Sequence, residues 1–434
     1  MSTPLSALPP SLIPGPHAPA EPAYEWRGLM LDSARTFWPP AVVIELLDVM
    51  ARYRFNRLHW HLTDDAGWRL PVPGWPNLVQ VGAHLKRPRY DDYTNVPTTK
   101  IDEAARRSEG LDITGFYTHD DIRRIVTHAR GLGIDIIPEV DLPGHMGAAI
   151  RAYPELGNPA LKDGDPHCWA DRNDILWPSP TAFAFIDDVL TTVCELFPFG
   201  IVHVGGDECR YSAWEADPDL AARYGAAPLG IDDPRRRRDS QRGGITGLHP
   251  EPNDAPGERA TSGFGALLQS DFTAHARAVL DRHGRRIAGW DEMASTSLRG
   301  DEILFAWRGE KGVAEALASG HAFVLADART LYLNRVEGEG EHEPPGMDGA
   351  FTSSDIIAMP IPDSAHMLGI QAAVWTEFIV DREHLHYQLF PRLLAVAELA
   401  WCGAPLQADD VEERLRHELN TLAHSGVVGR PLHV

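Results

Sequence analysis

Gly200-Ile-Val-His-Val-Gly-Gly-Asp-Glu208 is a short apolar run that breaks off in two glycines and two acids. Runs like it recur along the chain and alternate with segments of helical period, the pattern of repeated βα units around a parallel sheet. Gly28–Leu31, Arg57–Leu62 and Ile134–Glu139 precede it as strand candidates. Arg286–Trp290, Ile303–Trp307, Ala322–Ala326 and Gly369–Trp375 follow it. Helices are expected over Pro40–Tyr53, over Asp120–Gly131 with Thr118 as cap, near Thr181–Leu196 and near Glu383–Trp401. Eight strands, each leading to a loop or helix, predict an α/β fold of the (β/α)8 TIM barrel type.

The 434 residues carry 40 Lys+Arg against 62 Asp+Glu, a formal charge of −22, which argues against a nucleic-acid or anionic-membrane partner. Apolar residues make up 43%, enough to bury a core over most of the length. No apolar run approaches the roughly 18 to 20 residues of a membrane span. The four cysteines show no CxxC spacing, so neither a disulfide framework nor a zinc site is expected, and a reducing cytoplasm is the simpler location.

Residues 1–23 hold seven prolines and no basic residue, and read as a disordered, Pro-rich leader rather than a secretory signal. Residues 24–434 are then the catalytic barrel, interrupted by an insertion at about 217–262. That insertion includes the run Arg235–Arg238, which reads as a solvated face in so acidic a chain rather than a basic docking site.

In a barrel of this kind catalytic groups lie at the carboxyl ends of the strands, and the polar residues of this chain gather there. The strands run into HWHLTDD (59–65), PEVDLPGH (138–145), HVGGDE (203–208), GWDE (289–292), AWRG (306–309) and VWTE (374–377). In HVGGDE the glycines let the backbone turn sharply, so that Asp207 and Glu208 project into the barrel mouth. Crowded, half-buried carboxyls repel, one keeps its proton near neutral pH, and an acid beside a permanent carboxylate suits glycosidic bond cleavage. Trp290, Trp307 and Trp375 sit at strand ends beside charged residues. Aromatic walls with polar neighbours fit the apolar faces and hydroxyls of a sugar.

Together RGLMLDSAR (27–35), HWHLTDDAGWR, IIPEVDLPGH, HVGGDE, GWDE and VWTE resemble the catalytic barrel of family 20 glycoside hydrolases, the β-N-acetylhexosaminidases, over about Trp26 to Trp401. Some 25 residues precede the first strand, so the chain resembles the barrel-only members. The resemblance implies substrate-assisted hydrolysis without cofactor or metal, with a terminal N-acetylhexosamine as the carbohydrate partner. In that scheme Glu208 is the acid/base, Asp207 orients the substrate's acetamido group, and Tyr332 in LYLNR bonds its oxygen. Arg27 matches the arginine that binds sugar hydroxyls O3 and O4, and Glu377 the acid on O4 and O6. Trp290, Trp307 and Trp375 match the aromatic walls. Asp64 and His145 match a supporting pair beside the acid/base, with the choice between Asp64 and Asp65 left open. Asn334 stands where the family often has aspartate, which weakens the expected O6 contact because an amide lacks the carboxylate's charge.

Two rivals follow from the same residues. His59 and His61, with His203 and an aspartate, suit a metal-dependent barrel hydrolase. Such barrels tend to need a bridging lysine, and Lys86, Lys100, Lys162 and Lys311 are not placed for one. A non-catalytic sugar-binding protein would have the pocket, but no need for a proton donor at Glu208.

Overall fold

The computed structural model describes residues 3–84, 114–161, 173–230, 263–338, 343–404, 406 and 408–432. Parallel strands close into a barrel in chain order: β1 Trp26–Asp32, β2 Arg57–His61, β3 Asp135–Glu139, β4 Ile201–His203, β5 Arg286–Trp290, β6 Ile303–Ala306, β7 Ala322–Leu325 and β8 Met367–Val374. β8 pairs with β1, Trp26 opposite Gly369 and Leu31 opposite Val374, so the sheet has no free edge.

The helices that return the chain are α1 Pro40–Arg52, α2 His119–Gly131, α3 Pro180–Leu196, α4 Gly265–Arg282, α5 Gly309–Ser319 and α6 Ser353–Ala358. After β5 a 3-10 turn, Asp291–Ser295, takes the place of a helix. Thr118 caps α2 through a reciprocal box with Asp121, as its position before an apolar-periodic segment implies. Among the described residues no helix is long and apolar enough to cross a membrane.

Successive side chains of a strand face opposite sides of the sheet, and this alternation divides the core in two. On β2, Leu58 and Trp60 join the layer beneath the helices, which leaves His59 and His61 on the barrel axis. On β6, Leu304 and Ala306 pack outward and Ile303 and Phe305 inward. Trp26 meets Phe305 edge-on at 5.5 Å in the lower barrel. Above this apolar plug the axis becomes polar.

Two expectations need correction. The closing helix over Glu383–Trp401 is two helices, α7 Arg382–Leu389 and α8 Arg392–Cys402, because Pro391 has no N–H to donate and disfavours helical backbone at Phe390. A further helix, α9 Ala408–Ala423, follows them. Residues 3–23 are ordered against these helices instead of forming a disordered leader. Leu12 N–H donates to Glu418 at 2.7 Å, Gly15 N–H to Glu398 at 3.0 Å, and the Trp401 indole to Pro19 O at 2.9 Å. Of the expected insertion, 217–230 holds a short helix capped by Asp217, while 231–262, with Arg235–Arg238, lies outside the described residues.

Ile13 is fully enclosed at this seam. Ile13→Ala is expected to lower stability by about 2–5 kcal/mol, the transfer and cavity loss of a buried aliphatic side chain. Chemical denaturation of the two proteins checks this; an unchanged midpoint would show that the segment does not hold the fold.

Candidate active site

Glu139 ends β3 on the barrel axis with no exposure. Its carboxylate accepts from the Trp290 indole at 2.9 Å, pairs with His59 Nε2 at 3.1 Å and His203 Nδ1 at 2.7 Å, and makes a short hydrogen bond to His61 Nδ1. Burial opposes ionisation, but His203, His61 and His59 outweigh it and hold this carboxyl well below the usual range. His61 reaches Asp64 with its other nitrogen at 2.9 Å. Burial would lower the His61 pKa, but Glu139 and Asp64 raise it to about 10. His61 is therefore an imidazolium between two carboxylates.

Asp64 continues the chain of charge. It pairs with Arg35 at 2.8 Å and with His145 Nδ1 at 3.5 Å, and these cations hold it ionised against the penalty of burial. Asp65 turns elsewhere, accepting from Gly147 N–H at 2.8 Å and facing His145 Nδ1 at 3.2 Å. The choice that the sequence leaves open is thus divided: Asp64 joins the histidine–arginine network, and Asp65 anchors the loop that carries His145. The far nitrogen of His145 lies 3.5 Å from Glu208 and 3.7 Å from Asp207. His145 is cationic, because Asp64, Asp65 and Glu208 overcome the cost of its burial.

The acids are presented by the turn after β4. Gly205 and Gly206 have φ of +63° and +88°, a region open to glycine. A Cβ at Gly205 would meet Asp141 at 1.9 Å, and one at Gly206 would meet the Met293 side chain at 2.6 Å. Glu208 and His145, at φ +46° and +51°, are two of three non-glycine residues with positive φ among the described residues. Backbone held in that region costs about 1–3 kcal/mol and collects at functional sites. The Glu208 side chain is 26% exposed against 13% for Asp207, so Glu208 can exchange protons with water.

The pocket walls come from three strand ends. Trp290 and Trp375 lie 5.8 Å apart between ring centres, and Tyr332 lies 5.9 Å from Trp375. Trp307 stacks on Tyr332 and donates its indole N–H to Glu292 at 2.8 Å. Asp291 holds this wall in place by accepting from the Trp307 and Arg308 amides at 3.0 and 3.1 Å. Burial raises Tyr332 well above the usual phenol value, which keeps it a hydroxyl donor. Burial, with Asp32 and Asp64 nearby, takes Glu377 up to about 7. Asn334 is buried, and neither atom of its amide has a partner among the described residues.

Glu208, Asp207, Tyr332, Asp64, His145, Trp290, Trp307, Trp375 and Glu377 are therefore brought to one mouth. Arg27 is not. It begins β1, at the opposite end of the barrel, where its guanidinium donates to Arg54 O at 2.9 Å and Tyr24 O at 2.8 Å and lies over Trp401. Five residues of strand put it about 16 Å below Asp32. The arginine at the mouth is Arg35, which pairs with Asp64 and lies 5.0 Å over the Trp375 ring. The signal was in the same motif: catalytic groups follow a barrel strand, and Arg35 comes after Asp32. Glu139 and Asp141 were also missed as site residues, although each stands in a quoted motif, and His61 was considered only as a metal ligand.

His59, His61 and His203, weighed above as metal ligands, converge on Glu139. His61 spends both nitrogens as donors to carboxylates, so it has no lone pair to offer a cation. The three histidines instead surround a buried carboxylate, His61 as the cation and His59 kept neutral by burial, which lowers its pKa to about 4.

An eight-stranded barrel whose mouth joins a half-buried acid, a second carboxyl, a tyrosine and three tryptophans defines a glycosidase-like site. The catalytic-domain model of glycosyl hydrolase family 20 matches residues 24–404, and the chain belongs to that family. It is 31% identical to a Porphyromonas gingivalis β-hexosaminidase over 98% of its own length and 49% of the relative's. It is 30% identical to an Akkermansia muciniphila β-hexosaminidase, over 88% of this chain and 69% of that one. A crystal structure of an exo-β-N-acetylglucosaminidase from Vibrio harveyi, in complex with N-acetylglucosamine, superposes with a TM-score of 0.72 at 29% identity, over 94% of this chain and 59% of that one. The chain thus spans about half the length of the first of these relatives.

The buried His61 gives a pH signature. Its pKa is raised from 6.5 to about 10, so its contribution to stability is complete below pH 6.5 and is lost as pH rises towards 10. Stability is expected to fall over that window, with the fall reduced in His61→Gln. Denaturation midpoints across the range check this; identical slopes in both proteins would show that His61 does not hold the extra proton.

Proposed function

We propose that the chain is a retaining, exo-acting β-N-acetylhexosaminidase that removes terminal non-reducing N-acetylglucosamine or N-acetylgalactosamine. The observation that carries this reading is the Gly205–Gly206 turn, which presents Asp207 and Glu208 side by side with His145 within ion-pair distance of both. Glu208, the more exposed acid, protonates the leaving oxygen and later activates water. The substrate's own acetamido oxygen attacks the anomeric carbon and forms an oxazolinium ion, the substrate-assisted route rather than attack by a second carboxylate.

The other residues prepare that attack. Asp207 accepts the acetamido N–H and faces the developing positive charge, while the Tyr332 hydroxyl donates to the acetamido oxygen. Trp290, Trp307 and Trp375 enclose the acetamido group and the ring face, which excludes water from the reacting centre. Arg35 takes over the hydroxyl-binding role expected of Arg27, opposite Glu377. Because the nucleophile is tethered to the sugar and held in line, much of the entropic cost of bringing reactants together is met on binding.

Release of the aryl group from chromogenic N-acetylglucosaminide and N-acetylgalactosaminide tests the activity. No release from either over pH 4–8 would overturn it. Glu208→Gln removes the proton donor, so substrates with poor leaving groups should slow by about 100- to 10,000-fold, while activated aryl glycosides lose less. Equal losses on both substrate classes would take the acid role from Glu208.

A further inference from the structure

Asp141 lies just past β3 and is wedged under the glycine turn. A Cβ at Gly205 would meet its Oδ1 at 1.9 Å, and the Gly206 N–H donates to the same oxygen at 3.1 Å. Carboxyl oxygens of Asp141 and Asp207 and a ring nitrogen of His145 lie within 4.8 Å of one another. Both carboxyls are buried, and two ionised carboxylates this close repel each other. Two carboxylates have only acceptors, so a bond between them requires one to keep its proton. Asp207 Oδ1 is buried and has no hydrogen-bond partner among the described residues.

We propose that Asp141 is a positioning residue which holds a single proton between itself and Asp207, and so fixes Asp207 as the acceptor for the substrate's acetamido N–H. The proposal rests on the role given to Asp207 above. It assigns a function to a carboxyl that the catalytic scheme leaves idle.

The surroundings favour one proton over none. Facing the pair are Glu139 from β3, Asp64 from the loop after β2, and His145 from the loop after β3. Glu208 and Cys209 face it from the turn after β4, and Glu292 from the turn after β5. In this set His145 is the cation, against several carboxyls. Burial, opposed by His145 and reinforced by Glu139, pushes Asp141 up to about 8, and burial with the Asp141 charge also raises Asp207. Below that pH the shared proton turns repulsion between two acids into a hydrogen bond. Above it both are anionic, and the like charges drive Asp207 out of line. The pair therefore contributes an alkaline limit to turnover of its own.

Asp141→Asn separates this from a packing role, because the amide keeps the shape, donates to Asp207 and cannot titrate. Asp141→Ala keeps neither donor nor shape. With an activated aryl glycoside, Asp141→Ala is expected to lose about 100-fold or more in kcat with little change in KM, the cost of one preorganised electrostatic partner. Asp141→Asn should lose no more than about tenfold, the scale of one altered hydrogen bond. Infrared difference spectra between wild type and Asp141→Asn should show the carbonyl stretch of a neutral carboxylic acid that disappears near pH 8. The same band should remain in Glu208→Gln.

Equal losses in the Asn and Ala variants, or no such band in the difference spectrum, would overturn the inference. The infrared titration needs no turnover and unfolding midpoints report whether each variant is folded. A wild type inactive on both hexosaminides would sink the proposed activity instead, with the spectra still deciding whether the two acids share a proton.

Discussion

Glu139 puts a negative charge on the axis of a closed barrel, where water does not reach it, and the upper half of the molecule is arranged around that charge. Taking such an ion out of water costs several kcal/mol, repaid only when partners surround it with good geometry. Here β2 supplies His59 and His61, β4 supplies His203, and β5 supplies the Trp290 indole. Three of these four partners also serve the mouth above. Trp290 is a pocket wall. His203, with Nδ1 given to Glu139, ends β4 directly before the turn that carries the acids. His61 passes the requirement for charge balance to Asp64, and through Asp64 to Arg35 and His145. The geometry of the site is thus tied to a buried ion beneath it.

The same arrangement sorts one residue type into several protonation states. Glu139 and Asp64 are held ionised by histidines and arginine, whereas burial and like-charge neighbours raise Glu377 to about 7 and Asp141 to about 8. Environments that push carboxyl groups apart in this way are how a site obtains acids and bases from the same side chain at one pH. The sorting depends on burial: in water these groups would titrate within about one unit of each other.

Backbone strain is placed where that sorting is used. His145 and Glu208 both sit in the left-handed region, and Gly205 and Gly206 leave room for Asp141 and Met293 where any side chain would collide. Strained conformations persist when the surroundings over-determine them. Here the surroundings are the carboxylates on both sides of His145 and the wedge of Asp141 beneath the turn.

The barrel was legible in the sequence because a strand buried on both faces is a short apolar run and a returning helix has its own period, and both signals are local. β5 fell at its expected residues, and α1, α2 and α3 within one residue of theirs. Pro391 alone sufficed to split the closing helix, and that too was local. Residues 3–23 looked disordered because composition reports what a segment can bury by itself, and not that Ile13 finds a ready cavity among distant helices. The acids and the tryptophans could be read from motifs, since each stands at or just past a strand end and all strands of a parallel barrel point the same way. Tyr332, seven residues past β7, came only from the family resemblance. Which arginine reaches the mouth could not be settled by proximity in the chain. Arg27 and Arg35 flank one strand, and only strand direction separates the barrel's two ends. The sequence by itself determined the repeating unit and the types of residue at each strand's carboxyl end. Closure of the barrel decided the rest: it removed water from Glu139 and set Asp141 against Asp207, and hydrogen bonds and pKa values depend on distances across the axis that no run of residues encodes.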